Sequence, residues 1–113
     1  MSVSAEYLAY IRELLGGYEP LRVRRMFGGA GVYAGDIFFA ILVDDTLYLK
    51  ADGANRPDFE RLGLESFRYS RRDGRTATMG YYPPPAAALD DAEALRPWVE
   101  GALAAARRAA RLV

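Results

Sequence analysis

The chain has 113 residues, 51% of them hydrophobic, and fifteen cations balance fifteen anions for a formal net charge of +0. That length holds one compact domain, and the neutrality removes any global pull towards nucleic acid, so only a local patch could supply one. Cysteine and histidine are both absent, which removes disulfides, thiol nucleophiles, Cys/His zinc sites and the usual general base near neutral pH.

The first helix is predicted over about Val3–Leu15. Tyr7, Leu8, Ile11, Leu14 and Leu15 form one stripe at helical spacing, Ser2 or Ser4 can supply the N-cap oxygen, and Gly16-Gly17 ends it. From Leu21 the pattern becomes strand-like, with strands near Val23–Phe27, Val32–Val43 broken at Ala34-Gly35-Asp36, and Leu47–Ala51. Asp44-Asp45 reads as a turn between two strands rather than a metal site, because Asp tolerates turn dihedrals. Ile37–Val43 is apolar on both faces, with Phe38, Ala40 and Leu42 expected on one side and Phe39, Ile41 and Val43 on the other. Such a strand is central. Three helices are too few to cover both faces of a five-stranded sheet, so one apolar face is expected to stay open and to join two copies as a homodimer.

Asn55 as N-cap, Pro57 in the first turn and Gly63 as stop predict a short helix, with Phe59 and Leu62 as its inward contacts. Phe67–Tyr82 reads as a hairpin around Arg72-Asp73-Gly74. Setting Phe67 and Tyr69 against Ala77 and Met79 puts apolar groups together, whereas the other register sets them against Thr76, Thr78 and Gly80. Gly74 takes the left-handed position of the loop. After Pro83-Pro84-Pro85, Asp90 is expected to cap a last helix, with Glu93 three positions on. Leu95, Trp98, Val99, Ala102, Leu103 and Ala106 fall on one side of it, and Pro97 should kink or restart it near Arg96. Arg107, Arg108 and Arg111 suit the dipole at its end.

Two arginine clusters stand out. One is Arg22-Val23-Arg24-Arg25; the other surrounds the hairpin tip with Arg68, Arg71, Arg72 and Arg75. Gly28-Gly29-Ala30-Gly31 leads into a strand rather than a helix, so it reads as a bend and not as a phosphate loop. Tyr33, Tyr48, Tyr69, Tyr81 and Tyr82 enrich the strands in phenols, a residue type suited to interfaces and to strands alike. The start of the chain lacks the pattern of a signal peptide, and Ile37–Val43 is too short to span a bilayer as a helix, so a cytoplasmic location is expected. No metal or cofactor is expected, and no enzyme.

Arg25-Met26-Phe27-Gly28-Gly29, Gly31-Val32-Tyr33, Phe39-Ala40, Leu47-Tyr48-Leu49-Lys50, Asn55-Arg56-Pro57-Asp58-Phe59, Met79-Gly80-Tyr81-Tyr82 and Trp98 occur in this order. Together they resemble the N-terminal domain of the TfoX (Sxy) family of bacterial competence regulators, over roughly Tyr7 to Ala106. The resemblance implies a two-layer α+β fold like that of type III secretion chaperones. Its sheet would be five-stranded and mainly antiparallel, in the order α-β-β-β-α-β-β-α. It implies a single domain over 1–113, with 106–113 as a tail free to fray, and no counterpart of the C-terminal helical domain found in longer members. Those members promote competence-gene transcription, acting with the cyclic-AMP receptor protein. The implied role is non-catalytic and regulatory, by binding an unidentified regulatory protein. Contact is then expected at Arg24, Arg25 and Phe27, with Gly28 and Gly29 shaping the surface, and at Tyr81 and Tyr82.

The alternative is a nucleic-acid-binding accessory protein that uses Arg68, Arg71, Arg72 and Arg75, with DNA the less favoured partner and no membrane involved. A metal-free enzyme using Arg and Tyr is a third class, and it requires a closed pocket with convergent polar groups.

Overall fold

In the computed structural model, which describes residues 3–18, 20–26, 28–70, 72–78 and 80–111, three helices pack on one face of a five-stranded antiparallel sheet. Helix α1 (Ala5–Leu14) begins at Ser4, whose Oγ accepts the Tyr7 amide at 3.1 Å. Its stripe turns inward, with Ile11 and the following Leu15 fully buried. Strands β1 (Leu21–Met26), β2 (Gly29–Ala34), β3 (Ile37–Val43) and β4 (Thr46–Lys50) then form a meander. The expected break at 34–36 is the turn of the β2–β3 hairpin, with Gly35 at φ 61°. Asp44 and Asp45 sit at φ 51° and 52°, the left-handed pair that a two-residue hairpin connection demands.

Helix α2 (Arg56–Glu60) follows, and then a separate ribbon of β5 (Arg68–Ser70) and β6 (Thr76–Thr78). Tyr69 stands opposite Ala77 and Gly74 is at φ 84°, as the pairing of apolar groups predicts. Met79, the other half of that register expectation, lies outside the described residues. Strand β7 (Tyr81–Tyr82) returns to pair with β4, so the sheet order is β1-β2-β3-β4-β7. A 3₁₀ turn (Ala86–Asp90) leads into helix α3 (Ala92–Arg111). The α+β class, the five-stranded antiparallel sheet and the order helix, strands, helix, strands, helix are those expected from the sequence, with four strands before α2 because the break at 34–36 is a full hairpin turn.

Four local expectations are corrected. The register shifts between Val32 and Tyr33, whose partners are Ala40 and Phe38, so Phe39 is an extra residue in a bulge. Phe39 therefore enters the core beside Ala40 and Leu42, and Phe38 takes the opposite face instead. Asp91 rather than Asp90 caps α3: its carbonyl accepts the Leu95 amide at 3.1 Å and its Oδ1 the Glu93 amide at 3.2 Å. Asp90 is taken up by the preceding 3₁₀ turn, and α3 is continuous through Pro97.

Asn55 makes no side-chain cap. Its Oδ1 accepts the Asp52 amide at 2.7 Å and its Nδ2 donates to the Lys50 carbonyl at 3.0 Å, which closes the turn after β4. Leu62 lies past the end of α2 and is 56% exposed, while Leu64 packs on the core in its place.

One core lies between the sheet and the helices, built on Phe39, Leu42, Leu47, Leu49, Leu95 and Val99, all at most 1% exposed. Phe59 stacks on Tyr82 at 5.1 Å and meets Trp98 at 5.0 Å, tying α2 to β7 and α3. From α3, Arg108 reaches Asp52 with two hydrogen bonds, of 2.7 and 2.9 Å. Among the described residues no helix is long and apolar enough to cross a membrane.

Candidate functional site

Residues opposite each other across a ladder share a face. The register therefore puts Val23, Val32, Ala40, Leu49 and Tyr82 in one row under the helices. The adjacent row, Arg24, Gly31, Ile41 and Tyr48, belongs to the outer face. Ile41 and Tyr81 are buried yet stand apart from the helix-side core, because a second apolar layer covers them.

That layer is largely aromatic. The Arg22 guanidinium lies 5.4 Å from the centre of the Tyr33 ring, and Tyr33 stacks on Phe38 at 5.0 Å. Phe38 meets Tyr81 at 6.0 Å, and the Lys50 ammonium lies 5.2 Å from the centre of the Tyr81 ring. A line of three rings with a cation at each end thus crosses the sheet. Burial, with Tyr33 nearby, pushes the Tyr81 hydroxyl up to about 12. Farther along the face, Tyr48 packs on Phe67 at 5.0 Å.

The glycines of the motif serve this layer. A Cβ on Gly31 would come within 2.8 Å of Met26 Cε and of Phe38 Cε1, which close over the bare strand. A Cβ on Gly29 would come within 2.4 Å of the Leu42 carbonyl oxygen, so only glycine permits that approach of β2 to β3. Gly28 holds φ 78° at the turn from β1.

The expected contact residues do not form one site. Arg24 and Tyr81 belong to the outer face, whereas Arg25 and Tyr82 belong to the helix face. Arg25 donates to the Val3 carbonyl at 3.3 Å. The Tyr82 hydroxyl donates to Glu60 at 3.2 Å, and burial together with that carboxylate raises its pKa. Strands β1 and β7 are moreover the two opposite edges of the sheet. Phe27 and Arg71 lie outside the described residues. Lys50 and Phe38 are not among the expected contact residues. For Lys50 the signal is the alternation of β4, which sets it opposite in face to Leu49; for Phe38 alternation points to the wrong face, because the bulge at Phe39 interrupts it.

On the ribbon, Arg68 pairs with Glu65 at 3.0 Å and Arg75 with Asp73 at 3.9 Å, both exposed. Neighbouring carboxylates thus offset two of the cations proposed for nucleic-acid contact, leaving Arg72 at the tip. An open groove between α2 and α3 is lined by Asp58, Arg61, Leu62, Pro97 and Trp98. Asp58 and Arg61 pair with each other across its rim. Among the described residues no group of three potential ligands converges as a metal would require.

The fold and this face define a small α+β domain with a one-sided sheet, its helices on one side and a cation-bearing aromatic layer on the other. The family model of the TfoX N-terminal domain matches residues 13–106, and the chain belongs to that family. It is also similar to the DNA transformation protein TfoX1 of Aliivibrio fischeri, with 36% identity over 59 residues. That match covers 52% of this chain and 28% of the length of the relative.

Proposed function

We propose that this chain is a non-catalytic regulatory domain, of the kind that serves competence and DNA transformation, and that it works by docking a protein partner on the outer face of its sheet. The observation that carries the reading is the one-sided packing. All three helices cover one face, and the other keeps a half-exposed apolar layer of Met26, Tyr33, Phe38 and Tyr48. Layers of this kind mark contact surfaces. Arg24 is the expected contact residue that lies exposed on this face, and Gly28 and Gly29 act by shaping the strands behind it.

The test is a photo-crosslinking side chain placed at Tyr48 and, as control, at Glu13 on the exposed side of α1, in the full chain inside its host cell. Polypeptide adducts formed at position 48 and not at 13 are the expected result. Equal labelling at both positions, or adducts to nucleic acid alone, would overturn the reading.

The homodimer expected from the sequence would use the same apolar layer. It calls for a dimer in light scattering that Tyr48→Glu converts to a monomer. A wild-type monomer at high concentration removes it.

A further inference from the structure

The outer face carries a charge asymmetry that the neutral composition conceals. The five strands of the sheet contain Arg22, Arg24, Arg25 and Lys50 and not one acidic residue. The register puts Arg22 and Arg24 on the outer face along β1, and Lys50 on the same face along β4. Among the described residues none of these three pairs with a carboxylate. Arg25 stands on the helix face, turned to the Val3 carbonyl, and takes no part.

Between the two lines of charge the surface is apolar, with Met26, Tyr33, Phe38 and Tyr48 half-buried. Strands β1 and β4 are separated by β2 and β3, which sets them about 14 Å apart at about 4.8 Å per strand. A helix with its side chains is about 10–12 Å across. Laid along the strands over β2 and β3, it would meet rings beneath it and a cation on either flank.

A helix suits this face better than an extended segment. Its backbone N–H and C=O groups bond to one another, whereas a strand laid flat on side chains would leave its own unpaired. Helices already cover the other face of the same sheet in this manner. Met26 adds an unbranched side chain that adapts to whatever packs on it.

We propose that the outer face takes an amphipathic helix of a partner protein, its apolar stripe on Tyr33, Phe38 and Tyr48 and its carboxylates on both flanks of that stripe, paired to Arg22 and Arg24 on one side and to Lys50 on the other. This rests on the docking reading above and names the chemistry of the partner. Arg22 and Lys50 are already held beside rings, at 5.4 Å from the centre of Tyr33 and 5.2 Å from that of Tyr81. Cations restrained in this way lose less freedom when a carboxylate arrives.

Two other occupants fit less well. Single-stranded nucleic acid binds by stacking bases on free ring faces. Here Tyr33 lies between Arg22 and Phe38, and Tyr81 is 5% exposed beneath Lys50. A second copy placed face to face would bring its own Arg22, Arg24 and Lys50 to a surface whose strands offer no acid to meet them. Juxtaposed like charges work against such a contact.

The experiment titrates the full chain into a fluorescent helical peptide about four turns long, at low and physiological salt. The peptide carries Leu at i, i+3, i+4 and i+7 and Glu on both flanks of that stripe. Parallel titrations use the same peptide with Lys flanks, one with Glu on a single flank, one of scrambled order that breaks the stripe, and a thymidine oligonucleotide. The peptide with two Glu flanks should bind most tightly, and less so at higher salt. Arg24→Glu with Lys50→Glu reverses a cation on each side. It should weaken binding about tenfold or more and transfer preference to the Lys-flanked peptide. Should that pair fail to fold by circular dichroism, Arg24→Gln with Lys50→Gln replaces it and must still weaken binding.

No binding of the Glu-flanked peptide, equal binding of its single-flank, scrambled or Lys-flanked forms, equal or tighter binding of the oligonucleotide, or unchanged affinity in the variants would each overturn the proposal. A dimer in light scattering that Tyr48→Glu splits, with no peptide bound, would give the face to a second copy instead. If the peptide fails while position 48 still crosslinks to a different protein, docking stands and the acidic helix falls.

Discussion

Asn55 offers a test of the structure that no reading of local sequence would predict. As an N-cap it could be exchanged for Asp at almost no cost, since the two cap equally well and a carboxylate suits the helix dipole. In the fold, however, Asn55 is 8% exposed, covered by α3 where Gly101 approaches it, and uses both ends of its amide. Asn55→Ala leaves the Asp52 amide and the Lys50 carbonyl without their partner, at a cost of roughly 2–3 kcal/mol. Asn55→Asp keeps the acceptor for Asp52 but sets a carboxylate oxygen against the Lys50 carbonyl. At neutral pH it should cost about as much as the alanine. Acid should relieve it, because a protonated Asp regains the donor, so the raised pKa in the folded state confers stability that is lost as pH rises. Urea unfolding followed by the fluorescence of Trp98, the single tryptophan, measures both. The corresponding fall in midpoint temperature is roughly 8–12 °C for a domain of this size. An Asn55→Asp protein within about 0.5 kcal/mol of wild type at pH 7 would refute the reasoning.

The bond from Arg108 holds the Asp52 carboxyl down from 3.8 to about 2. Its stabilisation is therefore complete above pH 4 and lost as pH falls through 2. The Arg108 side chain is 44% exposed, so solvent screening limits the effect to about 1 kcal/mol. Asp52→Asn should lower stability at pH 7 by that amount and flatten the acid limb of the curve; an unchanged acid limb would count against the pairing. At the other end of the scale, Tyr81 should remain protonated when ordinary phenols have ionised, with a folded value of about 12 against 10.0. The stability that its burial represents is present below pH 10 and lost as pH rises through 12. A spectrophotometric titration should show a late phenolate step that Tyr81→Phe removes, and retention of that step in the variant would show that it belongs to another tyrosine.

Much of the fold is legible because the features concerned act over short distances. Ser4 at the start of α1, Asp44-Asp45 between strands and Gly74 at the ribbon tip each satisfy a local dihedral or hydrogen-bond demand, and each does in the fold what its residue type dictates. The register of the ribbon follows from opposing Tyr69 to Ala77, a choice that period-two alternation makes without knowledge of the rest. Family membership was legible in the same way, from the order of short motifs.

What alternation cannot reveal is where it is interrupted. The bulge at Phe39 inserts one residue, and that residue exchanges the faces of Phe38 and Phe39. Phe38 thereby joins Tyr33 and Tyr81 on the outer layer while Phe39 fills the core. Alternation by itself divides Arg24 from Arg25 and Tyr81 from Tyr82 between the faces, but which member of each pair lies on the outer face follows from the pairing of the strands. The contact surface is thus assembled from alternate residues of different strands. Composition and local pattern determined that this chain would be an α+β domain of one regulator family. Only the pairing of distant strands decided which cations stand beside which rings, since those neighbours come together through register and not through sequence.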